Sequence, residues 1–437
     1  MAVTMSPRPQ PTQPPRSSPM KVILVGVEMP CNGSVPMEAA LRELEGLATT
    51  ANYLPVATLT QRLSTVNPHS LLGSGKVEEL KHAVHHHEAG LVIFDEALTP
   101  TQNRNLERQL ECRVIDRPWL ILEIFLNHAR TREAKTQVEL ARLKYALPRL
   151  TKLWGHLSRQ KGGIGLREVG EKQIQLDRRY IRSQIHRLEG KLKEIDRDKK
   201  NQRKSRKDVF QVSLVGYTNV GKSTLMNRLT GAGTLVADKL FATLDATVRR
   251  IQKNYPYPVL LVDTVGLIDK LPHDLVASFK STLDEVREAD LLLKVVDPTH
   301  PNFRDQMKTT ETVLTEMGAD RLDSILVFNK IDQIADPERI KDLHAIYPEA
   351  LLISCKTGEG IEELRKGIDR CYDKHLVNYR LDLDYTQSHL LPALRKLAII
   401  VKEEFAEDKI HLSLRVPPEK KSQIESLLNL PASPAPA

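Results

Sequence analysis

The chain has 437 residues and a mass of 49.4 kDa, room for about two to four domains, and its 41% hydrophobic content can support ordinary cores. No apolar run approaches the roughly 18 residues of a membrane span, and the cysteines Cys31, Cys112, Cys355 and Cys371 lie far apart with no C-x-x-C pair. Membrane insertion, structural zinc and a disulfide framework are therefore not expected, and a reducing, cytoplasmic setting is. The net charge of +8 is placed unevenly: Arg149 to Lys207 hold 19 Lys and Arg against 7 Asp and Glu, a local +12 that leaves −4 for the remainder. One segment thus carries the basic character, which points to a polyanionic partner.

Residues 1–19 are rich in Pro, Ser and Gln, lack a signal peptide's apolar stretch, and read as a disordered tail. From Met20 to Phe125 strands and helices alternate. Lys21–Val27, Tyr53–Leu59 and Leu91–Phe94 are strand-like, while Pro36–Ala51 and Lys76–His87 have helical spacing. Thr99-Pro100 starts another helix, with Thr as cap and Pro at the first position. The alternation predicts a small parallel α/β domain over residues 20–125. Leu72-Gly73-Ser74-Gly75-Lys76 looks like half a phosphate-binding loop, but Ser70 replaces the opening glycine, so a tight turn into a helix is the simpler reading. His85-His86-His87 suggests a metal. Consecutive helical residues point about 100° apart, however, and a solvated helix end is expected.

Trp119 to Gln160 is helical in pattern, with Pro148 marking a kink. A second helix, Glu171 to Asn201, carries Ile174, Ile181, Ile185, Leu188, Leu192 and Ile195 in an a/d seam. The two predict an antiparallel coiled-coil hairpin over residues 126–207, closed by the glycine-rich loop Gln160–Gly170 with Arg159, Lys161 and Arg167. Lys199–Asp208 is a basic linker. A charged helix pair is often only solvated; charge, glycine loop and seam coinciding on one element favour an RNA contact.

A P-loop G domain is predicted over residues 208–375. Val209–Val215 is mostly apolar and leads into Gly216-Tyr217-Thr218-Asn219-Val220-Gly221-Lys222-Ser223, a G-x-x-x-x-G-K-S between strand and helix. Its backbone amides can ring a β-phosphate, Lys222 meets the β- and γ-oxygens, and the Ser223 hydroxyl reaches Mg²⁺. Phe241-Ala242-Thr243-Leu244-Asp245-Ala246-Thr247 holds the threonine that would bind Mg²⁺ and the γ-phosphate; Thr243 and Thr247 both fit on spacing. The run Val259–Val262 ends in Asp263-Thr264-Val265-Gly266, where Asp263 holds Mg²⁺ through a water and the Gly266 amide senses the γ-phosphate. Ile325–Phe328 ends in Asn329-Lys330-Ile331-Asp332, the N-K-x-D of guanine sites. A buried Asp332 accepts from the guanine N1–H and 2-amino group, which adenine cannot satisfy. Leu351–Ile353 leads to Ser354-Cys355-Lys356, whose amide would meet guanine O6. Four motifs at strand carboxyl ends make GTP the nucleotide. Leu267 follows Gly266, where many GTPases place a water-orienting glutamine, so slow, partner-stimulated conversion of GTP to GDP and phosphate is expected. Asn219 either shapes the loop by a hydrogen bond or helps hold a monovalent cation such as K⁺ beside the phosphates.

Beyond His375, Val377, Tyr379, Leu381 and Leu383 alternate, as do Ile410, Leu412, Leu414 and Val416, with Leu390–Phe405 between them as an amphipathic helix. This is a small α+β domain over residues 376–430, read as β–α–β–α, with residues 431–437 a frayed tail. The fold class is α/β: a P-loop G domain with a mixed sheet, preceded by a small α/β domain and an antiparallel helical hairpin, and followed by the small C-terminal domain.

The chain resembles the HflX GTPases of the Obg–HflX group over nearly its full length after Met20. The residues that carry the likeness are Pro100, Gln102 to Glu107, Arg132 to Leu150 and Lys161 to Gly165. Asp177-Arg178-Arg179, the P-loop with Asn219, Phe241 to Asp245, Asp263 to Gly266, Leu271-Pro272-His273, Leu275-Val276 and Phe279 to Leu283 complete the set. The resemblance implies a cytosolic GTPase that binds the large ribosomal subunit and its RNA, splits stalled ribosomes under stress, and presents its helical tip to the peptidyl-transferase region. It assigns Mg²⁺ to Ser223 and Thr243. Three positions depart from the family pattern: Glu168 to Gln175 replaces G-P-G-E-T-Q-L-E, Leu267 replaces a usual Phe, and the linker Lys199–Lys207 is more basic.

Two rivals stand beside this reading of a monomeric ribosome factor. One is a GTPase of ribosome assembly or RNA modification. The other is a nucleotide-dependent RNA-binding or helicase-like module with the amino-terminal domain as effector. The chain has no candidate zinc, nucleophile or methyl-donor cluster, which weakens modification chemistry.

Overall fold

The computed structural model describes residues 19–28, 36–152, 165–204, 209–231, 240–241, 246–251, 259–268 and 285–428. Both expected tails lie outside these, apart from Pro19. Contacts divide the chain into two compact units, Met1–Asn127 with Pro148–Leu153, and His128–Leu147 with Trp154–Ala437.

The first unit is built on β1 (Met20–Glu28), β2 (Tyr53–Arg62), β3 (Leu91–Phe94) and β4 (Arg113–Asp116), all parallel in the order β2-β1-β3-β4. Helices α1 (Met37–Thr50), α2 (Ser74–His87) and α3 (Pro100–Leu110) connect them, and α4 (Arg117–His128) follows. Alternate β1 residues Ile23, Val25 and Val27 pack with Val77, Leu80 and Val84 of α2, while Gly26 faces Met37 and Leu41 of α1. A strand covered on both faces must be apolar throughout, which is why β1 reads as one continuous run. At the start of α3 the expected cap is present: the Thr99 hydroxyl accepts from Gln102 N (3.3 Å), and Gln102 Oε1 accepts from Thr99 N (2.9 Å). The half-loop before α2 is the predicted turn, and Gly73 N donates to Gln61 Oε1 (3.1 Å) within the protein. His85–His87 end α2, with His85 and His86 exposed.

The helical stretch from Trp119 is not one helix with a kink at Pro148. α4 stops at His128, α5 spans Arg132–Ala146, and a 3-10 segment covers Leu147–Lys152. Thr131 makes the break by capping α5, its hydroxyl accepting from Ala134 N (3.1 Å). Arg149, in the 3-10 segment, donates to Leu98 O (2.7 Å) and lies 3.4 Å from Asp116. Residues 153–164, including Arg159 and Lys161 of the expected tip, lie outside the described residues.

The second helix of the hairpin, α6, runs Gly165–Lys204, so it begins inside the predicted loop rather than at Glu171. Gly165 and Gly170 cost a helix about 1 kcal/mol each, and the strong helix formers Leu166, Arg167 and Glu168 between them continue the pattern. Leu188 of the seam is buried, and Ile181, Ile185, Leu192 and Ile195 are half-buried. Lys144 pairs with Glu189 (2.8 Å) and Glu133 with Lys199, so rising numbers in α5 meet falling numbers in α6. The pair is antiparallel, as expected.

The six-stranded sheet has the order β10-β9-β8-β5-β7-β6. Its strands are β5 (Phe210–Gly216), β6 (Thr247–Arg250), β7 (Val259–Asp263), β8 (Leu291–Val296), β9 (Ser324–Phe328) and β10 (Leu351–Leu352). All neighbours are parallel except β6 against β7, so the sheet is mixed. Helices α7 (Lys222–Thr230), α8 (Phe303–Glu316), α9 (Pro337–Ile346) and α10 (Ile361–His375) accompany it. The carboxyl ends of β5, β7, β8, β9 and β10 share one edge.

After α10 the expected β–α–β–α order fails. β11 (Val377–Asp384) and β13 (Lys409–Val416) match, but the predicted helix Leu390–Phe405 is only α11 (Leu391–Leu397) followed by a strand, β12 (Ile399–Phe405). The β-branched run Ile399-Ile400-Val401 favours the extended state, and β12 pairs antiparallel with β13 in a β11-β13-β12 sheet. Leu381, Leu383, Leu394, Ile410, Leu412, Leu414 and Ile424 of the following α12 (Lys421–Leu427) form its core.

Candidate nucleotide site

The parallel edge brings the four predicted motifs together. β5 delivers Gly216 to Gly221, and α7 begins at Lys222. Tyr217, Thr218 and Val220 are buried, while Asn219 is exposed in the left-handed region at φ 60°, which Asn tolerates. Among the described residues its side chain makes no hydrogen bond. The loop-shaping hydrogen bond expected of Asn219 is therefore not seen among the described residues; what Asn219 contributes there is its left-handed backbone.

Lys222 is buried and its Nζ turns back over the loop, donating to Gly216 O (3.0 Å) and Tyr217 O (2.6 Å). Burial lowers its pKa to about 8, against the raising effect of Asp263. Phosphate oxygens above the loop would favour the charged form. Ser223 Oγ donates to Asp263 Oδ2 (2.7 Å), so the two predicted metal-side groups meet. Two hard oxygen donors in contact at the loop's edge suit Mg²⁺.

Thr264 lies behind Asp263, its hydroxyl donating to Leu214 O (2.6 Å), and Val265 is buried. Gly266 packs so closely on the P-loop that a Cβ there would sit 2.8 Å from Thr218 Cγ2 and 3.1 Å from Lys222 Nζ. Leu267 is half-buried and bridges to Tyr217 through Thr218 N→Leu267 O (2.8 Å) and Leu267 N→Gly216 O (3.1 Å). Phe241 is buried with φ 56°. Ala242, Thr243, Leu244 and Asp245 lie outside the described residues, and Thr247 is the first residue of β6, opposite Asp263.

Asn329 is the strap between phosphate and base ends. Its Nδ2 donates to Val220 O (2.8 Å) and its Oδ1 accepts from Cys355 N (3.1 Å). Gly221, at φ 94°, leaves room for it, since a Cβ there would stand 2.3 Å from Asn329 Nδ2. Gly221→Ala should therefore displace Asn329 and strain the loop by about 1–3 kcal/mol, weakening GDP binding by more than about tenfold in a fluorescent-nucleotide titration. Unchanged affinity would show that the strap is dispensable.

Ile331 is buried, and Asp332 is exposed, not buried as expected: its burial has to come from the base itself. Ser354 Oγ donates to Asp332 Oδ1 (2.6 Å) and orients that carboxylate. Because Cys355 N is taken by Asn329, the next amide, Lys356 N–H, is left with no protein acceptor among the described residues. Burial pushes the Cys355 thiol up to about 12, which leaves it inert.

Two residues escaped the sequence reading. Asp297, directly after β8, pairs with Lys330 Nζ (2.8 Å) and accepts from Thr299 Oγ1 (2.5 Å), which holds the Lys330 stem in place. An acidic residue at the carboxyl end of a parallel strand was the available signal. Arg228 of α7 donates to Thr357 O (3.2 Å) and lies against Gly358 of the Ser354 loop. Nothing in its helical context pointed there.

Comparison with known proteins covers almost the whole chain. Residues 38–126 match the family described as GTP-binding GTPase N-terminal, 128–206 GTP-binding GTPase Middle Region, and 211–330 50S ribosome-binding GTPase. The chain is similar to GTPase HflX of Escherichia coli (strain K12), 43% identical over 381 residues, covering 86% of the chain and 89% of that protein. It is 48% identical to GTPase HflX of Flavobacterium psychrophilum over 313 residues, 71% of the chain and 75% of that protein. A GTP-binding protein from Sulfolobus solfataricus, solved in complex with GDP, is 26% identical over 80% of the chain and 98% of that protein, with a TM-score of 0.43.

Proposed function

Because the chain belongs to the HflX family of GTPases, we propose that it is a cytoplasmic, monomeric GTP-switched factor that binds the large ribosomal subunit through its basic hairpin and splits stalled ribosomes. Asn329 carries the nucleotide half of this reading, because one side chain joins the P-loop to the loop that faces the base. Gly216 to Ser223 would cradle the phosphates, Asp332 and the Lys356 amide would read guanine, and Lys330 would lie along the base. Ser223, with Asp263 through a water and Thr243 from the preceding loop, would hold Mg²⁺. That ion, when bound, offsets charge on the β- and γ-oxygens. Lys222 and the Gly266 amide would hold the terminal phosphate. The described residues contain no helix long and apolar enough to cross a membrane.

The ribosome half rests on charge and shape. The +12 segment contains all of α6, which pairs antiparallel with α5. Sedimentation with separated subunits should place the protein on large subunits with a non-hydrolysable GTP analogue and release it with GDP. No preference for large subunits would remove this half and favour the assembly or helicase-like rivals. Changing Lys161 and Arg167 to Ala should also flatten the salt dependence of binding by about 1.5 in log–log slope. An identical slope for variant and parent would exclude the tip as a phosphate contact.

A further inference from the structure

The loop that faces the base, Ser354 to Gly360, closes on itself around Ser354. Thr357 N donates to Ser354 Oγ (3.1 Å), Gly358 N to Ser354 O (2.8 Å) and Ser354 N to Glu359 O (3.0 Å). A loop bonded in this way keeps its own shape, so its pose depends on what ties it to the rest of the site. Among the described residues three side chains from elsewhere do so. Asn329 Oδ1 accepts from Cys355 N (3.1 Å), Asp332 Oδ1 accepts from Ser354 Oγ (2.6 Å), and Arg228 Nη2 donates to Thr357 O (3.2 Å).

The first two ties come from the Asn329–Asp332 motif and hold Ser354 and Cys355. The third comes from α7, the helix that begins at Lys222, and holds Thr357. Lys356, whose amide is the proposed reader of guanine O6, lies between the two held stretches, so both set the direction of its N–H. Gly358, at φ 95°, keeps the path from α7 open, since a Cβ there would stand 2.2 Å from Arg228 Nη2. Arg228 is exposed while its neighbours Leu225, Met226, Leu229 and Thr230 are buried, so the helix packs through them and the arginine is left to the loop.

We propose that Arg228 is a positioning residue for base recognition: by holding Thr357 O it aims the Lys356 amide at the 6-oxo group of guanine. This rests on the guanine site proposed above. The test is Arg228→Met, which keeps the length and removes the donors, beside Arg228→Lys, which keeps a cationic donor. Three nucleotides are titrated into the full chain: GDP, 6-thio-GDP, whose sulfur accepts hydrogen bonds weakly, and IDP, which lacks the 2-amino group assigned to Asp332. The methionine variant should lose about fivefold toward GDP, and its preference for GDP over the thio analogue should shrink by about the same factor, as weakening of one hydrogen bond predicts. Its preference for GDP over IDP should stay within about twofold, because the bond between Ser354 and Asp332 is untouched. Lysine should restore both GDP affinity and the preference for oxygen over sulfur. Unchanged GDP affinity, equal losses for GDP and the thio analogue, a parallel fall in the preference over IDP, or lysine behaving like methionine would each overturn the proposal. Failure of the parent itself to bind GDP, or to prefer it over IDP, would instead overturn the reading of the site.

Discussion

Asp332→Asn is expected to lower GTP affinity by about 100-fold or more and to raise affinity for xanthosine triphosphate by at least about tenfold. In the proposed site the carboxylate would accept two charge-assisted hydrogen bonds from guanine, each worth about 1.5–3 kcal/mol, and tenfold corresponds to about 1.4 kcal/mol. The new amide donates where the carboxylate accepted, which suits the 2-oxo group of xanthine. Ser354 orients one carboxylate oxygen at 2.6 Å, so the substitution acts on a held group and not on a loose one. Competition titrations with the two nucleotides decide the matter. Unchanged GTP binding would remove Asp332 from the base site.

GTP turnover by the free chain is expected to be slow, below about 10⁻² per second as in GTPases that lack a completed site, and to rise more than about tenfold with large ribosomal subunits. Leu267 has no hydrogen-bonding side chain to orient water, and its backbone is held to Gly216 and Thr218 at 3.1 and 2.8 Å. The expectation is that groups ordered by another molecule orient the water. The measurement is turnover in sodium and in potassium, each with and without large subunits. Stimulation by potassium alone would assign the charge-stabilising role to a cation beside Asn219, which the structure leaves exposed. Fast turnover by the free chain in sodium would end the triggered-switch reading.

The nucleotide motifs were legible because the chemistry of phosphate and guanine recognition is local. Gly216 to Ser223, Asp263 to Gly266, Asn329 to Asp332 and Ser354 to Lys356 each place their groups within a few residues of a strand end, and apolar runs announce those strands. The amino-terminal sheet was legible for a related reason: β1 and β3 are buried on both faces and must be apolar. Boundaries decided by competition between similar local energies were not. A single Thr131 cap outweighed continuous helical spacing between α4 and α5. At Ile399 to Phe405 pairing with β13 won over an amphipathic helical pattern.

By itself the sequence determined the fold class, the nucleotide, the basic hairpin and its seam. Each follows from spacing, charge or residue type along one segment. Only the tertiary structure decided how the segments constrain one another. Asn329 joins Val220 to Cys355, Asp297 steadies Lys330, and Arg228 reaches Thr357. It alone set Thr218 and Leu267 side by side on Gly266. These pairs are far apart in the chain, and packing across a sheet edge, which no local pattern encodes, brings them within hydrogen-bonding distance.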